Sequence, residues 1–261
     1  MRAYFAELLR YRELLYAFVW RDVKIRYKQS LMGVAWAVFM PMIIVLAGVV
    51  VKFAFAQFSG KPLEATELAT VSVKAVAWAF FVSALRFGTN SLVGNANLVT
   101  KIYFPKLLFP MSAVMSSLFD LAIAGVAVGV LLLVVGIRPG AEVLWVPVLL
   151  VVLVMVVLGL SGMLAVANLF FRDVKYLVEV IVTFAIFFTP VFYEATLFGK
   201  WEHAIMLNPV APLLEGLRNT VVLNQPPDLS WLAYSAGVGV VLVAGTVAAF
   251  AALEPRFAEN I

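Results

Sequence analysis

Few residues in this chain are equipped for covalent chemistry. There is no cysteine and one histidine, His203. A thiolate nucleophile, a thiolate metal site and a disulfide framework are therefore excluded. The best-spaced nucleophile is Ser161 in Gly159-Leu160-Ser161-Gly162. Such a serine needs a base within hydrogen-bond reach. His203 falls in a segment expected on the far side of the membrane from Ser161, more than about 15 Å away at the rise of a helix. Small residues at this spacing also suit close helix packing, and that is the reading adopted; an intramembrane serine protease is the remote alternative. Nucleotide hydrolysis would need a Gly-rich loop ending in Gly-Lys-Ser/Thr. Gly60-Lys61 is followed by Pro62, and Gly199-Lys200 by Trp201. Any ATP-driven work must come from another chain, and no bound cofactor, metal or catalytic residue is expected on this one.

What positions the remaining residues is a membrane. The 261 residues are 64% apolar and only 13% charged, with mean hydropathy +1.03; soluble domains run about 45–50% and about 25%. Apolar runs at 34–55, 73–93, 107–135, 143–170, 176–193 and 231–253 are close to or above the roughly 20 residues that cross a bilayer. They are continuous rather than alternating, so they read as helices and not barrel strands. The expected fold is all-α: one polytopic domain over 1–261 with six transmembrane helices.

Lys and Arg placement orients it. The stretch before the first run carries Arg2, Arg10, Arg12, Arg21, Lys24, Arg26 and Lys28; Lys101, Lys106, Arg172, Lys175 and Arg256 fall on the same side. The other side has Lys61, Lys74, Arg138, Lys200 and Arg218. Both termini are thus expected in the cytoplasm, with no cleavable signal peptide. Residues 1–30 form no span. Tyr4, Leu8, Tyr11, Leu15 and Phe18 make one helical stripe, with Arg10, Glu13, Arg21, Lys24 and Lys28 opposite. This predicts an amphipathic helix at the interface. Residues 194–230 hold two apolar stretches broken by Asn208-Pro209 and Pro212. Each is too short to cross, so two re-entrant helices are expected before the last span. Arg86 and Asp120 are the opposite charges deep in the spans; they either pair or separately face a hydrated path.

Several segments, in order, resemble one family. They are Arg21-Asp22-Val23-Lys24-Ile25-Arg26-Tyr27-Lys28-Gln29-Ser30 with Gly33, Trp36 and Pro41; Asn97-Leu98-Val99-Thr100-Lys101-Ile102-Tyr103-Phe104-Pro105-Lys106; Asn168-Leu169-Phe170-Phe171-Arg172-Asp173-Val174-Lys175; Thr189-Pro190-Val191-Phe192-Tyr193; and Asn208-Pro209 with Glu215 and Arg218. The whole chain resembles the polysaccharide-export permeases of type-2 ABC transporters, the Wzm-like O-antigen and teichoic-acid exporters. That resemblance implies a homodimer in the bacterial inner membrane, bound to two ATPase subunits that hold ATP and Mg. The substrate implied is a polyprenyl-diphosphate-linked glycan, and membrane lipids are the other contacts; no nucleic-acid partner is implied. It also implies a coupling helix within 94–106, using Asn97, Lys101, Tyr103 and Phe104 to seat on the ATPase, and outer gate helices within 195–223, bearing Asn208, Pro209, Glu215 and Arg218.

Physical chemistry supplies roles for the rest. Arg21, Lys24, Arg26 and Lys28 suit capture of an anionic diphosphate. Phe39, Trp78, Phe80, Phe81, Phe184, Phe187, Phe188, Phe192 and Tyr193 are candidates to line a glycan path, since sugars slide on aromatic faces. A small-amphiphile or drug exporter is the alternative substrate class. The absence of a phosphate-binding loop makes one prediction: the purified chain alone hydrolyses no ATP, and a phosphate-release assay shows turnover only with a nucleotide-binding partner present.

Overall fold

The structure, a computed structural model, describes residues 7–8, 10–28, 31–60 and 64–259, without the side chains of Phe55, Ser59, Ala258 and Glu259. Tyr4 at the head of the predicted stripe, Arg2, Gln29-Ser30 and Lys61 lie outside the described residues. Ten α-helices occur in these segments: α1 Arg12–Tyr27, α2 Trp36–Ser59, α3 Ala65–Asn90, α4 Ala96–Lys101, α5 Leu108–Val134, α6 Val146–Phe170, α7 Val174–Phe188, α8 Glu202–Met206, α9 Ala211–Val221 and α10 Leu229–Leu253. No strand occurs among the described residues.

Helix ends follow local chemistry. Gly60 closes α2 at φ 68°, a left-handed conformation that costs glycine little. Pro110, Pro147 and Pro212 sit in first turns of α5, α6 and α9, where the missing N–H would be unpaired anyway. Asp228 caps α10, its carboxylate accepting from the Ser230 and Trp231 amides. The Ser230 hydroxyl also donates to that carboxylate, and these bonds hold Asp228 below the usual range.

The molecule is a polytopic membrane protein, with five helical stretches long and apolar enough to cross: Gly33–Phe58, Ala65–Asn90, Leu108–Val134, Ala141–Phe170 and Leu229–Phe257. The predicted fifth span, 176–193, differs. Its helix α7 has 15 residues and stops at Phe188, roughly 22 Å against a core of about 30 Å. Pro190 follows, and the residue before a proline is pushed out of helical geometry; Thr189 is extended. The second span also shifts. Its helix starts at Ala65, so Lys74, read from sequence as a loop cation, lies inside α3 and is fully buried.

Helix α3 is the hub. Its most apolar stretch is 78% buried, against 22–33% for the other four crossing stretches. It packs on α2, α5, α6, α7 and α9. Helix α1 lies along the first half of α5, and α10 runs against α6. The α6–α10 seam is made by small residues. A Cβ at Gly159 would meet Leu242 at 2.4 Å, and one at Gly162 would meet Thr246 at 2.3 Å. The Thr246 hydroxyl donates to the Gly159 carbonyl at 2.6 Å. Ser161 is fully buried on α6, where its hydroxyl donates to the Leu158 carbonyl at 3.3 Å; a Cβ on Gly88 of α3 would touch it at 2.5 Å. The sole histidine, His203, lies on α8, its ring against Trp231. The Gly-Leu-Ser-Gly segment therefore packs helices. A second apolar cluster, with Leu8, Phe18, Leu92, Phe104, Phe109, Leu169, Phe250 and Phe257, closes the α4 end of the bundle.

Gly162→Leu is expected to force α6 and α10 apart and to cost about 1–3 kcal/mol or more, the range for overpacking. A lower unfolding temperature of the detergent-purified chain, with Ala causing a smaller drop, checks this.

Candidate functional site

Helix α1 is tied to α5 by a polar seam. One inward-facing line runs from buried Phe18 through part-buried Asp22 to part-buried Arg26, four residues apart on one face. Asp22 accepts from the Ser112 hydroxyl at 2.9 Å. Arg26 pairs with Asp120 and donates to Ser116 at 2.9 Å and Ser117 at 3.3 Å. Its guanidinium lies 4.0 Å from the Phe87 ring centroid. The Tyr27 hydroxyl donates to the other Asp120 oxygen, and burial, with that carboxylate second, pushes the phenol's pKa up. Asp120 stands about 18 Å into α5 from Leu108, so the C-terminal turns of α1 do not lie flat on a membrane surface.

This revises two readings. Asp120 does not meet Arg86: Arg86 of α3 pairs with Glu179 of α7 at 2.9 Å. The position beside Asp120 is filled by α1, a helix that is none of the predicted spans. Arg26 is also committed to Asp120 and cannot stand as a free cation. Arg21 pairs with adjacent Asp22 at 2.8 Å. Lys24 and Lys28 are exposed, Lys24 lying over the Trp20 ring. The one sequence signal for the seam was Phe18-Asp22-Arg26, an apolar stripe turning polar.

The 94–106 segment forms a 3-10 turn, then α4, then an extended return. Asn97, Thr100, Lys101, Ile102 and Tyr103 face outward, Tyr103 at 88% exposure. Phe104, expected as an outward anchor, is 3% exposed. Its ring meets Phe18 and Phe109 at 5.6 and 5.4 Å between centroids. Apolar surface next to a cluster of rings is better buried than hydrated, so Phe104 joins the loop to α1 and α5 instead. The Lys106 amide donates to Glu254 at 3.0 Å, and its ammonium donates to the Ile102 carbonyl. Burial pushes the Lys106 pKa down, partly offset by Glu254.

At the other end, residues 195–223 form a 3-10 segment, α8 and α9. Four charges fasten them. Lys74 of α3 pairs with Glu215 at 2.8 Å and donates to the Tyr193 carbonyl at 3.1 Å. Glu215 also accepts from the Ala195 amide. Arg218 pairs with Glu194 at 2.9 Å and Glu215 at 3.5 Å. The Asn208 side chain donates to Thr189 at 2.9 Å and accepts from the Val210 amide at 3.1 Å, with Pro209 between them. Leu213, Leu214 and Leu217 bury α9, whereas Leu207 is 59% exposed. A thiol at position 214 would therefore be shielded within this chain, and one at position 207 would not.

The aromatic candidates divide. Trp78 and Phe81 stack at 5.1 Å inside the bundle and are 2% and 7% exposed, with Phe80 at 3%. Phe192 is partly buried against the core. Phe39, Phe184, Phe187 and Phe188 are exposed on α2 and α7. Tyr193 donates to the Phe187 carbonyl at 3.0 Å.

The five crossing stretches, the short α7 and the charge-fastened α8–α9 pair define a polytopic membrane protein of the permease class. The sequence profile of the ABC-2 type transporter family matches residues 13–222, and the chain belongs to that family, whose permease subunits lack an ATPase site and work with an ATPase partner. The chain is 28% identical to the O-antigen export system permease protein RfbA of Myxococcus xanthus, covering 98% of both chains. It is 26% identical to the protein of that name from Klebsiella pneumoniae, covering 95% of this chain and 94% of the relative.

Glu215→Ala would leave Lys74 buried and unpaired, at a cost of about 3–5 kcal/mol. The expected result is a large drop in thermal stability, substantially recovered by adding Lys74→Met. As a second readout, Leu214→Cys, a single thiol in a chain without others, should resist a membrane-impermeant maleimide until Glu215 is changed.

Proposed function

We propose that this chain is the membrane half of an ATP-driven exporter. It moves a polyprenyl-diphosphate-linked polysaccharide of the O-antigen kind from the cytoplasmic leaflet across the bacterial inner membrane. It works as a homodimer with two separate ATPase subunits, which hold ATP and Mg, and both its termini are cytoplasmic. The observation that carries the reading is the near full-length similarity to O-antigen export permeases.

The geometry supports the mechanical part. Exposed Asn97, Lys101 and Tyr103 offer a compact apolar contact with a polar rim, the make-up of a protein interface. Phe104, Phe18 and Phe109 connect that contact to α1 and α5 without a flexible joint. A push from the ATPase therefore reaches the spanning helices through packed rings. Phe39, Phe187 and Phe188 face out of the protomer, where a second copy would enclose them as sliding surfaces for glycan. Residues 195–223, locked to α3 by Lys74 and Glu215, close the outer mouth at rest.

Two measurements test this. In a strain lacking the chain, lipid-linked glycan should accumulate on the cytoplasmic face; unchanged sidedness with normal surface glycan removes the substrate reading. In the assembled complex, Tyr103→Asp should leave insertion intact and reduce export about tenfold or more, the scale of a central interface anchor. Export at the original rate would remove the coupling role.

A further inference from the structure

Arg86 is not a spacer between two helices but one wall of a chamber. Helices α2, α3 and α7 flank a half-open pocket of about 780 Å³. Arg86, Lys175 and Glu179 line it, with Ser83 and Asn90 as neutral polar groups and Met40 among the apolar ones. Arg86 gives one terminal nitrogen to Glu179 at 2.9 Å. Its Nε is buried and has no hydrogen-bond partner. An arginine fork with one arm on a carboxylate and a buried donor unused is an incompletely satisfied group. Lys175 is exposed beside it, with its ammonium near the Tyr176 ring and no carboxylate within ion-pair distance among the described residues.

The placement is specific. Arg86 lies about 6 Å from the end of α3 at Asn90. Lys175 and Glu179 lie in the first turns of α7. Asn168 fixes that juxtaposition: its side chain donates to the Thr89 carbonyl and accepts from the Lys175 amide, both at 3.2 Å. The chamber therefore sits at headgroup depth at the α4 end of the bundle, with apolar α2 as its other wall. The N-terminus of α7 adds partial positive charge there.

Resting on the export reading, we infer that this chamber binds the diphosphate headgroup of the polyprenyl carrier, with Glu179 as an internal stand-in that the substrate displaces. Phosphate oxygens match the arginine fork in two-point geometry and accept from Nε as well. Lys175 supplies the second charge, Ser83 and Asn90 neutral donors, and Met40 and its neighbours on α2 an apolar bed for the first isoprene units. Glu179 keeps Arg86 oriented when no lipid is bound. Arg26, paired with Asp120 of α5, takes no part in this site.

The test uses the permease with its ATPase partner in nanodiscs containing undecaprenyl diphosphate, with retained lipid measured by mass spectrometry. Arg86→Gln should lower retention about tenfold, the scale of lost charge-assisted bonds. Lys175→Gln, at an exposed position, should lower it about threefold by the same scale and serves if the Arg86 variant does not assemble. Glu179→Gln should raise retention, because it removes the competitor. A structural ion pair would behave otherwise: if Glu179→Gln lowers retention as Arg86→Gln does, the inference fails. Equal retention of phosphatidylglycerol would also overturn the assignment to a diphosphate lipid, whereas displacement by excess free pyrophosphate is expected of a diphosphate headgroup site. Wild-type retention that none of the three substitutions changes overturns this site and leaves the export reading standing. No retention by the wild-type complex would instead remove both.

Discussion

A charge held among membrane helices must be answered by protein, because hydrocarbon offers it nothing. Two such charges organise this molecule. Lys74, fully buried in α3, is answered by Glu215 of α9. Asp120 of α5 is answered by Arg26 and Tyr27 of α1. In each case a spanning helix carries one charge and a helix too short to span carries the other. The elements that would otherwise drift on the membrane surface are thereby fixed to the bundle at defined depth. Breaking either pair leaves a buried or part-buried charge without its partner, which is costly.

Apolar packing then divides the labour. Helices α6 and α10 are held through Gly159, Gly162 and Thr246, at distances that leave no room for a side chain. This is a rigid seam, built by close approach and not by bulk hydrophobicity, which lipid would satisfy equally well. At the α4 end, Phe18, Phe104, Phe109 and Phe257 form a cluster of large rings that joins α1, the 94–106 loop, α5 and the C-terminal 3-10 segment. That loop, the first turns of α5 and α1 thus share one packed cluster. Helices α2 and α7 are packed more loosely. Leu177, Val180, Ile181, Phe184, Phe187 and Phe188 all remain exposed, and α7 touches the bundle mainly through α3 and the turn that Asn168 ties down.

Much of this was legible in the residues themselves. Hydropathy and the scarcity of charge determined an all-helical membrane protein, because long apolar runs have only one way to satisfy their backbone in lipid. The breaks at Asn208-Pro209 and Pro212 determined that 195–223 folds into short pieces, and the missing phosphate loop agrees with a family whose permease subunits lack an ATPase site. What the tertiary structure decided is which charges meet. As opposite charges deep in neighbouring spans, Arg86 and Asp120 read as a possible pair, yet Arg86 turns to Glu179 and Asp120 to Arg26. Depth along a helix is a one-dimensional quantity, whereas pairing depends on rotation about the axis and on which neighbour lies there. Lys74 was invisible for the same reason: hydropathy reads a lysine as an edge, and only packing against Glu215 makes it an interior residue. Phe104 looked like a surface anchor beside Tyr103, and alternation along an extended strand of loop sent one ring inward and the other out.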